Sequence, residues 1–359
     1  MRILLISHFF PPTHTAGAEN YALALAEELR RRGHEVRVLC AGDWDVGESY
    51  LNAVRDEVFR EIPVRRLDLN WTRAVNPNRV LYDSSVVSSC LQQYIQEWKP
   101  DLAHIISCYS LGVGVVNILK RFGVPVVLTL VDFWFLCPRV QLVHGNGMLC
   151  NGKTTAQECL RCMLWGSRIG RLFERIPGGF NLLTQMTKIS WLARRRGFRG
   201  LALDMQERKE QLRKAFDAVD VVISPSQTVK KLFQENGWRE DIRIQFYGHD
   251  LSWLADSSKK VRRDHVRFGF LGQIHRNKGV HILVAAFRKL LENEDAELTI
   301  YGRVPDNEYG RNLRTMIGDT QRIQLGGYLA RSELARAFSE MDCLIRSEEH
   351  TSELQSPNT

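Results

Sequence analysis

No apolar run in this 359-residue chain approaches the roughly 18 residues that carry a helix across a bilayer, so the sequence offers no membrane-spanning segment of that kind. The opening MRILLISHFFPP has one charge and then a short apolar run; it is too brief for a signal peptide and reads as a first strand. The Gly-x-Gly-x-x-Gly fingerprint of dinucleotide-binding sheets is missing after that strand, which argues against a dehydrogenase. With neither leader nor span, the expected compartment is the cytoplasm, with docking on the inner face of the membrane left open, and the eight cysteines are expected to be reduced there.

What the chain does have is ordinary globular material, 44% hydrophobic and 25% charged, and length enough for two sizeable cores. Its formal charge of +8 gathers around Arg194, Arg195, Arg196, Arg199, Arg208, Lys209, Arg213 and Lys214, with Trp191, Leu192 and Phe198 between them. Such a stretch suits a solvated helix face or a peripheral membrane surface. A nucleic-acid partner is not expected, because no nucleic-acid motif accompanies it.

The apolar periodicity predicts a strand over 2–7, a helix on Ala22, Leu25, Ala26 and Leu29 that stops at Gly33, and a returning strand over 35–40. Between them, at the carboxyl end of the first strand, lies a turn containing Gly17, Ala18 and Glu19, the place where open α/β sheets bind ligands. Further strands are expected over 102–107, 125–131, 219–224 and 242–246, alternating with helices over 84–98 and 112–121, which predicts a parallel sheet covered on both faces. The run from Pro125 is apolar until it meets Asp132, a carboxylate where a strand ends. His104, on the strand before it, reads more simply as a satisfied core histidine.

Residues 268–291 join a buried strand to an amphipathic helix through Gly272-Gln273-Ile274-His275-Arg276-Asn277-Lys278-Gly279. The two glycines let backbone approach a ligand, and the helix that follows turns its positive dipole end toward an anion, with Lys278 adding a full charge. The pattern suits a phosphate loop, and equally a surface turn with an incidental lysine.

This segment resembles the donor loop of the family 4 (group 1) retaining glycosyltransferases, which have two facing Rossmann-like domains, the GT-B fold. The resemblance implies that Gln273 and Lys278 grip a sugar-nucleotide diphosphate, that Gly302 is a turn glycine, and that Gly327 and Leu329 meet the nucleotide base. It places Gly17, Ala18 and Glu19 in a family segment near the donor phosphate and the acceptor, with Ala16 where the family has its first glycine. Asp132 is retained on the acceptor side while Val131 replaces the histidine often found before it, and His104 matches a family strand histidine. The implied protein is a retaining, hexosyltransferase-like enzyme. It would move sugar from a nucleotide-sugar donor to a glycan or lipid-linked acceptor in cell-surface polysaccharide synthesis, with no cofactor required for catalysis. A nucleotide-sugar epimerase and a non-catalytic sugar-nucleotide binder are the competing readings.

The expected organisation is an acceptor-side domain over 1–250, a linker over 251–263 and an incomplete donor domain over 264–345. The first domain would carry a Cys-rich and basic insertion at about 137–217. Cys137, Cys150, Cys159 and Cys162 close with a Cys-x-x-Cys and suit a structural Zn²⁺ that staples a loop poor in core residues, or else serve as redox-active or unrelated thiols. Residues 346–359 lose all burial periodicity and resemble translated sequencing adapter. The family's acidic donor-site pair therefore has no counterpart in this chain, and poor solubility and absent turnover are expected of it.

Overall fold

A computed structural model of the chain describes residues 1–186, 201–248, 254 and 264–346. The basic and aromatic residues at 191–199, His249 and Asp250, nearly all of the expected linker, and the tail beyond residue 346 lie outside the described residues. Contacts divide the chain into two compact units, Met1–Tyr247 and Gly248–Thr359.

The first unit opens with β1 (Arg2–Ser7), α1 (Gly17–Arg31) and β2 (Glu35–Trp44). Five of the six β1 residues are buried, as a continuous apolar run in a sheet covered on both faces requires. On α1, Ala22, Leu23 and Ala26 face the sheet; two alanines on that stripe let the helix lie close, and Arg30 and Arg31 complement the dipole in its last turn. There follow β3 (Leu51–Phe59), β4 (Ile62–Leu69), α2 (Pro77–Val80), α3 (Ser85–Trp98), β5 (Leu102–Ile105), α4 (Gly114–Arg121) and β6 (Val126–Thr129). Ser84 accepts from the Val87 N–H and starts α3.

The strand order is β3-β4-β2-β1-β5-β6, completed by β7 (Val221–Ser224) and β8 (Arg243–Ile244), and every pair is parallel except the hairpin of β3 with β4. That hairpin is absent from the sequence-based expectation. It turns on Arg60 and Glu61, both with positive φ (47° and 61°), where the usual signal is Asn-Gly. Strand order reverses across β1, whose neighbours are β2 and β5, so the crevice beyond its carboxyl end is a topological switch point.

Between β6 and β7 the chain makes α5 (Ala156–Met163), α6 (Arg168–Glu174), α7 (Gly179–Met186) and α8 (Leu201–Ala218). The last of these is the crossover helix of the sheet. Leu212, Ala215 and Phe216 are completely buried and pack with Phe135, Phe233 and Trp238, while Leu160, Phe173 and Met205 form a satellite cluster beneath α5. The basic cluster is correspondingly not all solvated: Arg208 is only 6% exposed, and the Arg213 guanidinium lies 4.4 Å from the centre of the Trp238 ring. After β7, Ser226 caps α9 (Gln227–Glu235).

The second unit is a parallel four-stranded sheet in the order β11-β10-β9-β12. Its strands are β9 (Val266–Leu271), β10 (Ala296–Tyr301), β11 (Ile323–Gly327) and β12 (Cys343–Ile345). Helices α10 (Val280–Leu290), α11 (Glu308–Ile317) and α12 (Leu334–Ser339) connect them. Val280, Val284 and Phe287 bury one face of α10, each contributing roughly 1.5–3 kcal/mol. Arg267, 7% exposed, clasps Asp342 with Nε and Nη2 at 3.0 Å each and so fixes the entry to β12 against β9. Order again reverses at the first strand, which puts the turn after β9 at this sheet's own switch point.

Candidate functional site

In the second unit, the carboxyl ends of three adjacent strands converge through glycines. The Gly272 N–H donates to the Tyr301 carbonyl at 3.1 Å, and the Gly302 N–H donates to the Gly327 carbonyl at 2.7 Å. Gly302 has φ 152°, and a Cβ there would stand 2.1 Å from the Gly272 carbonyl oxygen, so no other residue fits without moving the loop. Gly279, at φ 63°, is the left-handed N-cap of α10, and the Ile282 and Leu283 N–H groups both donate to its carbonyl. One short helical turn, Arg276–Lys278, therefore delivers Lys278 to the start of α10, half-buried, while Gln273 is exposed at the crest of the loop. Ile274 is only 4% exposed and anchors the loop in the core of this unit. Leu329 follows Gly327 and is half-buried, and the exposed Tyr328 beside it lies 6.0 Å from the Arg303 guanidinium. The structure thus brings Gly272, Gln273, Lys278, Gly279, Gly302 and Gly327 to one sheet edge. It is built of backbone donors, a helix start and a cation, the ingredients of an anion site.

In the first unit, Gly17 and Ala18 open α1 and Glu19 sits in its first turn, 6% exposed. Space around Gly17 is open, with nothing within 4 Å of a Cβ built on it. The loop before α1 is held by Arg66, fully buried, which donates to the carbonyls of Phe10 (2.9 Å) and Pro11 (2.6 Å) and pairs with Glu57. Asp132 lies just past the end of β6, where its Oδ1 accepts from the Trp134 N–H at 2.8 Å and its Oδ2 from the Ser107 hydroxyl at 3.0 Å. Burial raises its carboxyl above the ordinary carboxylate range, opposed by those two hydrogen bonds and by the Arg208 charge, and the Glu19 carboxylate adds to the rise.

Three neighbours were invisible to sequence reasoning. Ser107 follows β5 as a single hydroxyl in an apolar stretch. Tyr21 packs its ring 4.6 Å from that of Tyr247 and shares Thr129 with His104, which bonds that hydroxyl through Nε2 at 2.7 Å. His8 holds Ser110 at 2.5 Å, and burial pushes its imidazole down to about 3. A polar residue just beyond each parallel strand was the signal available, and only the strand order tells which of these meet. His104 is a satisfied core group, as expected; burial lowers it to about 4. Two buried polar atoms here, Ser7 Oγ and Glu19 Oε2, have no hydrogen-bond partner among the described residues.

The four cysteines at 137, 150, 159 and 162 line one small cavity of about 20 Å³, room for about one water-sized body. A bridge between Val143 and Leu149 folds Cys150 back toward Cys137, and α5 presents Cys159 and Cys162 one turn apart. Even so, no three His, Cys, Asp or Glu side chains among the described residues are gathered closely enough to hold a metal ion. Burial raises the Cys150 and Cys159 thiols above their ordinary value, which favours the protonated form over the thiolate. As placed, the thiols surround a common space without forming a tetrahedral ligand set.

Among the described residues, no helix is long and apolar enough to cross a membrane. Residues 16–176 match the family model of a glycosyl transferase 4-like domain, and residues 265–351 match that of the glycosyl transferases group 1. An uncharacterized glycosyltransferase of Methanocaldococcus jannaschii is 20% identical over 356 residues, 96% of this chain and 74% of that protein. Two solved structures share the fold. Sucrose-phosphate synthase from Thermosynechococcus elongatus has a TM-score of 0.57 and 16% identity over 98% of this chain and 77% of that one. Anabaena HepE in complex with UDP-glucose has a TM-score of 0.54 and 17% identity over 96% and 73%. With one glycosyltransferase model on each unit and a fold shared with these solved structures, the chain belongs to the group 1 glycosyltransferases of the GT-B fold.

Proposed function

We propose that this glycosyltransferase is a retaining enzyme that moves a hexosyl group from a nucleoside-diphosphate sugar to a glycan or lipid-linked acceptor in cell-surface polysaccharide synthesis. The observation that carries the reading is the left-handed Gly279 cap, which starts α10 immediately after Lys278 and beside the strand-end glycines Gly272, Gly302 and Gly327. A diphosphate seated there meets a cation, backbone donors and a helix dipole at once. These groups are in position before charge develops on the leaving group, so they stabilise the transition state more than the ground state and need no divalent metal to do so. HepE, whose complex contains UDP-glucose, supports a sugar nucleotide as the donor class.

The acceptor reading of the first unit draws support from Asp132 and from the orphaned oxygens of Ser7 and Glu19, which suit a hydroxyl-rich ligand. The acceptor oxygen would bond to the anomeric carbon on the face from which the diphosphate departs, its proton passing to the departing phosphate oxygen, which retains configuration with no protein nucleophile. The test is Lys278→Ala, introduced into the gene repaired downstream of Ile345 so that the family's acidic donor-site pair is present, and assayed against a panel of nucleotide sugars. Loss of a hundredfold or more in kcat with the fold intact is expected from removing one such stabilising group. Unchanged transfer by the variant would refute the assignment.

A further inference from the structure

Under α8 the first unit holds an open-sided cavity of about 410 Å³ between the 135–138 turn, the start of α5 and the end of α9. Its floor includes Arg208. Among the described residues that guanidinium makes one hydrogen bond, to the Trp134 carbonyl, and no ion pair, and it lies 5.1 Å from the centre of the Trp134 ring. At 6% exposure it is more than nine-tenths buried. A cation taken out of water is costly unless an anion or a full set of acceptors replaces the hydration, and here most of its five donors have neither. Desolvation brings it down to about 10, so it still carries its charge at neutral pH.

The rest of the lining has two characters. Lys153 and Lys209, both exposed, stand at the rim and add two positive charges; the one carboxylate there, Glu235, is turned to Lys231 at 3.8 Å. The opposite wall is apolar, formed by Phe135 and Trp238. Such a space, with a cationic floor and rim beside an aromatic wall, falls in the size range of small-molecule sites. We infer that it binds the phosphate ester of an apolar alcohol, with the phosphate on Arg208 between the two rim lysines and the first carbons of the chain against Phe135 and Trp238. This deepens the acceptor reading of this unit, and rests on it for the ligand's role, because it makes that acceptor a phosphate-bearing amphiphile.

The experiment is calorimetric titration of the full chain, without donor, using farnesyl phosphate, farnesol and inorganic phosphate. Farnesyl phosphate is expected to bind at least tenfold more tightly than either of the others. Its affinity should fall at least tenfold in Arg208→Gln and recover in part in Arg208→Lys. Because a buried substitution can disturb folding, Lys153→Glu on the exposed rim provides an independent variant, expected to weaken binding about tenfold with an unchanged melting temperature. Inorganic phosphate binding as tightly as the ester, farnesol binding as tightly as the ester, or equal affinities in the wild type and the rim variant would each overturn the inference. No turnover is measured, so failure here leaves the transfer reading standing, and an inactive Lys278→Ala protein leaves this result standing.

Discussion

The Ser107 hydroxyl donates to Oδ2 of Asp132 at 3.0 Å, tying the end of β5 to the turn after β6, its neighbour in the first sheet. Asp132 is thereby held in place with a carboxyl that burial raises above its usual range. A raised folded-state value means that the native protein holds this proton more tightly than the unfolded chain. The contribution to stability is full below the ordinary carboxylate range and is lost as pH rises through the raised value. Asp132→Asn keeps an acceptor for the Trp134 N–H and carries no charge. Its melting temperature at pH 7 should equal or exceed that of the wild type, while transfer falls by about a hundredfold. A lower melting temperature together with unimpaired transfer would show Asp132 to be a packing residue only.

His104 gives the opposite pH signature. Its folded value is about 4 against an ordinary 6.5, because burial opposes the charged form. As pH falls below 6.5 the unfolded chain accepts a proton that the native one refuses, so stability present above 6.5 is lost toward pH 4, by roughly 3 kcal/mol. His104→Gln lacks that proton site. Urea midpoints measured from pH 7 to pH 4 should therefore converge between variant and wild type as the pH drops; parallel curves would exclude the linkage.

Much of this architecture was legible because its strands are continuous apolar runs. Ile3 to Ile6 and Val126 to Leu128 announce buried parallel strands, and the element at 17–31 carries its apolar stripe at helical spacing. The β3–β4 hairpin was not legible, since Arg60 and Glu61 adopt left-handed conformations that Asn-Gly would have advertised and the outward faces carry Val54 and Val58. Arg208 was misplaced in a solvated basic cluster, yet its spacing from Met205, Leu212 and Ala215 puts it on the buried stripe of α8. In the second unit the strand, glycine turn and helix over 266–290 were legible from the apolar runs and the glycines. The backbone bond that lines Gly302 up with Gly327 was not, because it depends on which strand neighbours which.

That alignment separates two glycine substitutions. Gly302→Ala drives a methyl against the Gly272 carbonyl, a backbone atom that yields only if the loop after β9 shifts, so a loss of about 2 kcal/mol is expected. Donor affinity should fall at least tenfold with it. Gly327→Ala meets nothing within 4 Å and suffers only its left-handed φ of 73°, a cost of about 1 kcal/mol. Urea unfolding and nucleotide binding on both variants check the ordering, and equal effects would mean that the strand-end contact does not shape the loop.

Arg66 offers the corresponding test in the first unit, where one buried guanidinium satisfies the Phe10 and Pro11 carbonyls while pairing with Glu57 at 2.6 Å. Its planar fork reaches three acceptors that a lysine ammonium cannot span together. Arg66→Met strands the Pro11 carbonyl and the Glu57 carboxylate, leaves the Phe10 carbonyl only the Thr13 hydroxyl at 3.4 Å, and should cost about 3 kcal/mol, of which Arg66→Lys should recover less than half. Because this contact sets the path of the chain into Gly17 and Glu19, the acceptor KM should rise in Arg66→Lys while nucleotide affinity, assigned to the second unit by the proposed donor site, stays unchanged. Should both variants unfold at the wild-type urea concentration, the entry to α1 would have to be held by something other than this side chain.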